Sequence, residues 1–257
     1  MTTQELIEYA IADKQLPQYL YKYRNNCANT DQIFTNAELW FGSPTTFNDP
    51  FDCQININTE NTYEQIKTWF QNNAPHLGTE YIKERSTQLT ENPEEWSAAL
   101  KTIFKKVFVN TGICCFGQTD DNLLLWSHYT DSHSGFCLKF DVLKEKEVFS
   151  NLLRTVYKKE YPFYNHLTTP LQFTEMLIRT KADIWEYEQE FRVIKPNRVG
   201  THKFSKSALV GVTFGCRCPT QEVCRIMELA INSGFSHLEF KQAVVSKSSF
   251  QVDIISL

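Results

Sequence analysis

The sequence contains little glycine and proline and no long apolar run. Its 257 residues include only 9 Gly and 9 Pro, against 42% hydrophobic and 14% aromatic residues, which argues against a disordered chain and predicts a sizeable core. No apolar stretch approaches the roughly 20 residues needed to span a bilayer. No basic region precedes an apolar one at the amino terminus, so no signal peptide is expected. We therefore expect a soluble, cytoplasmic protein with no membrane partner.

Basic residues are also too few for one class of partner. The formal net charge is −4, which lacks the basic excess of non-specific nucleic-acid binders, although a local basic groove is compatible with it. The eight cysteines form no Cys-x-x-Cys pair and no Cys/His cluster at zinc-finger spacing. We expect no metal and no disulfide framework, with most of these thiols packed as small hydrophobic groups.

Helical and strand periods alternate along the chain without repeats. The segment from Tyr63 to about Asn110 has helical spacing, and strand-like segments precede and follow it. No linker is long or polar enough to divide the chain. We predict an α+β fold, as one domain over residues 1–257, with a central, mostly antiparallel sheet and an inserted helical block at about residues 62–110.

The segment WEYEQEFRVI (185–194) has acids at alternate positions ahead of an arginine. On a strand, its three acids and Arg192 would share one face. Because like charges on one face are unfavourable, the pattern indicates either a site for a cationic partner or an internal ladder of ion pairs. In the ladder, Arg192 would neutralise Glu190, and Arg24 or Lys22 would meet Glu188 across strands.

Two other segments carry polar residues whose role the pattern leaves open. The strand-like segment LYKYR (20–24) places two tyrosines on one face, with Lys22 and Arg24 on the other. An arginine at a strand end is either a solvated surface group or a ligand for an anion. His128 and His133 are five residues apart, a spacing that does not stack them on a helix face, so it does not favour a metal site.

The segment FNDPF (47–51) predicts a turn. Asn48 and Asp49 can bond nearby backbone N–H groups, and the proline after them stiffens the loop. Phe47 and Phe51 are expected to be buried beneath it. The turn is either purely structural or also presents polar groups to a ligand.

Together, these segments resemble the successive blocks of a large bacterial family catalogued as a domain of unknown function. The blocks are a Tyr-x-Tyr-Arg strand, an F-N-D-P-F loop, a W-S-H-Y block followed by a glycine, and a W-x-x-E-x-E-x-R strand. They occur here in that order, from residue 20 to about residue 194. The family label implies no activity. The resemblance carries over Tyr23, Arg24, Phe47, Asn48, Asp49, Pro50, Trp126, His128, Tyr129, Gly135, Trp185, Glu188, Glu190 and Arg192.

The order of an aromatic-Arg strand, an aromatic-Ser strand and a Glu-x-Glu strand is also similar to the arginine-serine-glutamate class of ADP-ribosyltransferases. That resemblance implies NAD as substrate, with its phosphates on Arg24. It implies Glu190 as the carboxylate that stabilises an oxocarbenium-like centre, and Glu188 as the group that orients or deprotonates the acceptor. In place of the serine that supports the nicotinamide ribose, this chain has Gly117, and Ser127 is the nearest substitute.

The sequence therefore leaves three hypotheses. The first is an NAD-consuming, ADP-ribosyltransferase-like enzyme, in the setting of a toxin or of phage defence, with a protein or nucleic acid as acceptor. The second is a non-enzymatic module that binds a small molecule, a nucleotide or another partner. The third is a metal-dependent nuclease or hydrolase, with Asp49, Glu188 and Glu190 as oxygen ligands.

Under the first hypothesis the site residues are widely spread along the chain. Arg24, Asn48 and His128 should meet Glu188 and Glu190 around one cleft. The catalytic residues are Glu190 and Glu188, and the cofactor-binding residues are Arg24, Tyr23, Asn48, Ser127, His128 and Tyr129.

Overall fold

The computed structural model describes residues 2–257, with 43% of the chain in helices and 25% in strands. The α-helices in this range are α1 (Thr3–Ala12), α2 (Ala28–Thr35), α3 (Tyr63–Asn73), α4 (Thr79–Glu91), α5 (Pro93–Asn110), α6 (Leu123–Tyr129), α7 (Phe173–Arg179) and α8 (Thr220–Asn232). The strands are β1 (Tyr19–Arg24), β2 (Glu38–Phe41), β3 (Asn56–Ile57), β4 (Gly112–Phe116), β5 (Phe136–Asp141), β6 (Leu152–Arg154), β7 (Val156–Lys158), β8 (Phe163–Tyr164), β9 (Thr180–Ala182), β10 (Phe191–Lys195), β11 (Gly200–Lys203), β12 (Leu209–Phe214), β13 (Glu239–Val245) and β14 (Val252–Ser256). None of these helices is long and apolar enough to cross a membrane.

The main sheet has five strands in the order β1-β5-β12-β13-β14. Strands β12 and β13 pair in parallel, and the other three pairings are antiparallel. The predicted α+β class and the mostly antiparallel central sheet are therefore confirmed.

A second sheet, in the order β4-β10-β6, is antiparallel throughout. One bridge between Tyr21 and Gly117 joins the end of β4 to β1. Another bridge, between Gly42 and Ile113, joins β4 to the end of β2, which pairs with β11. Strand β4 thus connects to both β1 and β2.

The described chain divides into two compact units. The first comprises the chain up to Gly42, Thr111–Thr155 and Ile184–Leu257, and it holds both of these sheets. The second comprises Ser43–Asn110 and Val156–Asp183. The single domain expected over the whole chain remains a prediction.

Helices α3, α4 and α5 occupy the region of the predicted helical block, as the sequence indicates. Thr62 and Gln65 form a capping box at α3: the Thr62 hydroxyl accepts from the Gln65 N–H at 3.3 Å, and the Gln65 side chain accepts from the Thr62 N–H at 2.8 Å. Pro93 is the first residue of α5, where its missing N–H costs nothing. Local chemistry therefore fixes where this block begins.

The core of the first unit is rich in phenylalanine. Helix α2 packs Phe34 into this core, with its ring 6.0 Å from that of Phe136 on β5. Arg225 of α8 holds the outer side of α2 by donating to both carboxylate oxygens of Asp31, at 2.8 and 3.2 Å. Together these contacts fix α2 in the first unit.

The predicted strand over WEYEQEFRVI (185–194) is wrong in its first half. Asp183–Glu188 forms a 3-10 helix, and β10 begins only after it. Gln189 ends this helix with a φ of 44°, in the left-handed region, and its N–H donates to the Glu186 carbonyl. Glu186, within this helix, is exposed, whereas Glu190, which follows the helix, is buried. The acids therefore do not line one face of a strand.

The FNDPF turn has the bond predicted for Asp49 but not the predicted burial of both phenylalanines. The Asp49 carboxylate accepts from the Phe51 N–H at 2.9 Å, which closes the turn locally. The expectation that Phe51 is buried is wrong, since 65% of it is exposed, and Phe47 is only half-buried. Cys53, two residues further on, is buried instead.

Candidate ligand-binding site

Two cations of β1 line one cavity in the first unit. Because strand residues alternate in direction, Lys22 and Arg24 lie on the same face of β1, and both line a cavity of about 350 Å³. This volume is in the range of small-molecule sites. The remaining walls come from α2, β2 and β11, through Asn29, Gln32, Ile33, Glu38, Leu39, Trp40 and Thr201.

Arg24 has a hydrogen-bond donor without a partner. Its Nε is buried and finds no acceptor within the described part of the chain. Most buried polar atoms are bonded, and one left unsatisfied costs about 1–3 kcal/mol. The backbone of Arg24 has little freedom, because a Cβ on Gly135 would lie 2.1 Å from its carbonyl oxygen. An anion in the cavity would supply the acceptor that this guanidinium lacks.

Lys22 is fixed by two contacts to β4. Its Nζ donates to the carbonyl oxygen of Cys115 at 2.8 Å and lies 5.3 Å from the centre of the Phe116 ring. An ammonium group has three donors, so this bond leaves donors for a ligand. Strand β4 therefore sets the position of one of the two cations.

The β2 wall contributes a carboxylate and an indole. Glu38 accepts a long bond of 3.5 Å from the Asn36 side chain, and among the described residues it forms no ion pair with Lys22 or Arg24. Trp40 keeps 56% of its surface exposed. The cavity therefore has positive charge on its β1 side, and negative charge beside a flat apolar ring on its β2 side.

Glu190 is buried and paired with Arg192. The guanidinium donates to both carboxylate oxygens, from Nε at 2.9 Å and from Nη2 at 3.1 Å. Glu190 is 4% exposed and Arg192 is 1% exposed. The bidentate geometry fixes the orientation of the carboxylate, and it is the first pair of the ladder considered from the sequence.

Cys115 connects this ion pair to Lys22. It lies opposite Arg192 in the register of β4 and β10, and its thiol is hydrogen-bonded to Glu190. Burial raises the pKa of this thiol well above its ordinary value, and the charge of Glu190 raises it further, whereas Arg192 and Lys22 lower it. Glu190 and Lys22 thus contact the same β4 residue, although Glu190 does not line the cavity.

Glu188 is also buried, at the end of the 3-10 helix. The Tyr129 hydroxyl of α6 donates to its Oε1 at 2.8 Å. A Cβ on Gly117 would lie 3.7 Å from the Glu188 carbonyl oxygen and 3.6 Å from the Tyr23 ring. The β1 strand, the end of β4 and the acidic segment therefore meet at Gly117.

Tyr23 is held by hydrogen bonds on both sides of its hydroxyl. It donates to the Thr119 carbonyl oxygen at 2.9 Å and accepts from the Asn122 N–H at 3.3 Å. Its ring packs edge-on against Trp126 at a centroid distance of 5.2 Å. Burial is the largest reason that its pKa lies far above the ordinary value of tyrosine. The Tyr23 hydroxyl therefore has its donor and one acceptor position in use.

Three other predicted site residues are exposed. Ser127 and His128 lie on α6, and the His128 ring lies 6.2 Å from that of Trp185 and 6.3 Å from that of Tyr187. Asn48 is exposed in the second unit. Within the first unit, the contacts gather Tyr23, Tyr129 and Glu188 into one set, whereas Arg24 lines the cavity with Lys22. The roles assigned to these residues remain predictions.

Sequence reasoning missed the β2 side of the cavity. Glu38 and Trp40 were not among the candidates, and Lys22 was considered only as an ion-pair partner. A signal for Lys22 is present in the sequence, because it lies two residues before Arg24 and therefore on the same face of the strand. No local pattern relates Glu38 or Trp40 to β1, because each of the two strands is joined to β4 by an isolated bridge between residues far apart in the sequence.

A family model described as "Protein of unknown function (DUF2971)" matches residues 125–193. The match spans a little over a quarter of the chain and includes the W-S-H-Y block, the glycine after it and the W-x-x-E-x-E-x-R segment. Over this part the chain is similar to an uncharacterised family, in agreement with the resemblance of these blocks, whereas the LYKYR and FNDPF blocks lie outside the match. No curated protein and no solved structure matches the chain, so no ADP-ribosyltransferase relative is shown.

The acids named for a metal site have other partners. Among residues 2–257, no group of three or more His, Cys, Asp or Glu side chains could hold a metal ion. Asp49 accepts from a backbone N–H in its own turn, and Glu190 is paired with Arg192. These observations give no support to a metal-dependent nuclease or hydrolase.

Proposed function

We propose that the first unit binds a phosphorylated nucleotide in the Lys22–Arg24 cavity. One observation carries this proposal: two cations share one face of β1, and one of them has a buried Nε without an acceptor. A guanidinium donates in a planar fork that matches phosphate oxygens, and an ammonium adds a second positive charge. Phosphate is therefore the anion that we expect at Arg24.

The β2 wall supports a nucleotide in preference to a bare phosphate. Trp40 presents an exposed indole on which a base can stack. Glu38 can accept hydrogen bonds from ribose hydroxyls, as carboxylates do in dinucleotide sites. Because Glu38 also repels phosphate, it favours one orientation, with the phosphates at β1 and the sugar and base at β2.

The buried ion pair favours binding without chemistry as the primary function. Glu190 is committed to Arg192 and does not line the cavity. NAD, which carries both a diphosphate and ribose diols, remains a ligand to be tested on the resemblance described above. The proposed binding requires no movement of Glu190.

Thermal-shift and calorimetric titrations with NAD, ADP, AMP, ribose 5-phosphate and inorganic phosphate test the proposal. The nucleotides should raise the melting temperature, because a ligand of the native state stabilises it, and inorganic phosphate should have a smaller effect. Arg24→Gln should weaken nucleotide binding by at least about tenfold, or about 1.4 kcal/mol. The free variant should melt no lower than the wild type, because the Nε makes no bond within the described chain.

Lys247→Ala is the matched control, since it removes an exposed positive charge of the same unit that does not line the cavity. This variant should bind like the wild type. Glu38→Gln should weaken the binding of the nucleotides and strengthen the binding of inorganic phosphate. If no ligand of this set stabilises the wild type, or if Arg24→Gln binds equally well, the proposal is wrong.

A second candidate function, cleavage of NAD, is favoured by the contacts of Cys115 with both Lys22 and Glu190. In that reaction the bond between nicotinamide and ribose breaks, and its electron pair leaves with nicotinamide. Water or an acceptor hydroxyl then bonds to the ribose carbon and loses a proton. Glu190 would stabilise the positive charge that develops on the ribose, which requires the carboxylate to leave Arg192.

Chromatographic detection of nicotinamide distinguishes the two candidates. An enzyme should release nicotinamide from saturating NAD, and Glu190→Gln should slow the release by about 100-fold or more, equivalent to about 2.7 kcal/mol of barrier. If NAD binds and no nicotinamide is released, the binding function is supported and the enzymatic one is not. Nicotinamide release at the wild-type rate by Glu190→Gln excludes this carboxylate as the catalytic group.

A further inference from the structure

The second unit has an exposed segment in which cationic and aromatic side chains are mixed. Between β7 and β8, Lys158 and Lys159 are exposed, and Tyr161 and Phe163 keep 40% and 68% of their surfaces accessible. Pro162, which lies between these two residues in the sequence, is buried. The two exposed rings thus lie only two residues apart in the sequence. Large aromatic residues on a surface commonly mark a binding site when they are grouped.

Two adjoining cavities follow this segment. One, of about 390 Å³, is lined by the segment itself from Lys158 to Phe163. The other, of about 280 Å³, shares Lys158 and Pro162 with the first and continues past Gln172 to Arg179 of α7. We define the basic-aromatic groove as these two cavities, with Lys158, Lys159, Tyr161, Phe163, Gln172 and Arg179 as its main residues.

The charge of the groove is locally positive although the chain as a whole is acidic. Arg179 is bonded to Glu175 and is therefore neutralised. Lys158 and Lys159 form no ion pair with any residue in the described range, and Glu160 is the remaining acid of the segment. Two lysines outnumber one acid here, whereas the formal net charge of the chain is −4. An anionic ligand fits this groove better than a neutral or cationic one.

We propose that the basic-aromatic groove binds single-stranded nucleic acid. The two lysines suit phosphate groups, and the exposed faces of Tyr161 and Phe163 suit unpaired bases, which stack on aromatic rings irrespective of sequence. A duplex keeps its bases inside and offers no base face to these rings. With so few cations, binding depends on stacking as well as on charge. This surface lies in the second unit and does not depend on the nucleotide cavity of the first.

Fluorescence anisotropy with labelled 12-nucleotide strands, and with a blunt duplex of the same length, tests the proposal. The full chain should bind the single strand more tightly than the duplex. Phe163→Ala and Tyr161→Ala should each weaken single-strand binding by about tenfold, since one base stacked on an aromatic ring contributes about 1–3 kcal/mol. The double variant Lys158→Gln, Lys159→Gln should bind the single strand more weakly, and its binding should depend less on salt.

Tyr81→Ala is the matched control, because Tyr81 of α4 is 50% exposed in the same unit and does not line the groove. The affinity of this variant for the single strand should equal that of the wild type. The groove variants should melt like the wild type, because they change exposed side chains. The proposal is overturned if the single strand does not bind, if the duplex binds as tightly, or if Phe163→Ala binds normally. A response to anionic vesicles alone would instead assign the groove to a lipid surface.

Discussion

Arg192 donates two hydrogen bonds to Glu190, at 2.9 and 3.1 Å, and both side chains are almost completely buried. A buried ion pair is costly to form, but removal of one partner is costlier, because a charge then stays buried without its counter-ion. This relationship makes the acidic segment part of the architecture of the first unit, whatever ligand that unit binds.

Glu190→Gln should therefore lower the free energy of unfolding by about 3–5 kcal/mol. Urea or thermal unfolding measures this change. Glu186→Gln is the control, because Glu186 is exposed in the neighbouring helical turn and its substitution should have little effect. A Glu190→Gln variant as stable as the wild type would show that the carboxylate is a surplus charge kept for function.

The turn at Asp49 gives a smaller, local prediction. Asp49→Ala removes the acceptor of the 2.9 Å bond from the Phe51 N–H and should lower stability by about 1 kcal/mol. Asp49→Asn keeps an acceptor oxygen and should stay close to the wild type. Thermal melting of both variants distinguishes this structural role from a role in ligand binding, which would lower affinity without lowering the melting temperature.

Features decided by neighbouring residues could be predicted from the sequence. The helical block that begins near Tyr63 and the Asp49 turn depend on side chains within a few positions of the backbone that they bond. The strand-like segments are likewise recognisable from their own residues. These predictions succeed because the interactions that determine them are local.

Features decided by distant contacts could not be predicted. The acidic segment has a period of two, yet Glu188 finds a partner in Tyr129 of α6, and a 3-10 helix forms ahead of Gln189. The β2 side of the cavity likewise depends on bridges to β4 that no sequence period records. Tertiary contacts override the local pattern at both places.

The surroundings of Gly135 explain why a glycine follows the W-S-H-Y block. A Cβ there would lie 2.1 Å from the Arg24 carbonyl oxygen, a distance that real side chains do not reach. Because the obstacle is backbone, Gly135→Ala must displace β1, and we expect a loss of about 1–3 kcal/mol or more in unfolding free energy. Nucleotide binding should weaken with it, since Arg24 moves.

Gly211→Ala is the control for this substitution. The nearest atom to a Cβ at Gly211 is the Glu239 carbonyl oxygen at 3.3 Å, so a small adjustment suffices. Its loss of stability should be clearly smaller than that of Gly135→Ala. Equal effects of the two substitutions would mean that the close approach to Arg24 is not the reason for the glycine.

His133 predicts a pH dependence of stability. Its ring stacks on Trp126, its Nδ1 is buried without a partner in the described chain, and its φ of 72° lies in the left-handed region. Burial lowers the pKa of His133 below its ordinary value, and the charge of Arg217 lowers it further. The folded protein therefore binds this proton more weakly than the unfolded chain does.

The sign of the effect follows from that difference. Stability from neutral His133 is fully present above the unfolded-state pKa of about 6.5 and is lost as the pH falls from there toward the lowered folded-state value. His133→Asn tolerates a positive φ and cannot titrate, so its melting temperature should fall less than that of the wild type between about pH 6.5 and pH 5. Comparison of the two proteins at pH 8 removes the effect of the lost ring itself. Melting curves that shift in parallel over this pH range would show that His133 does not contribute to the acid sensitivity of the fold.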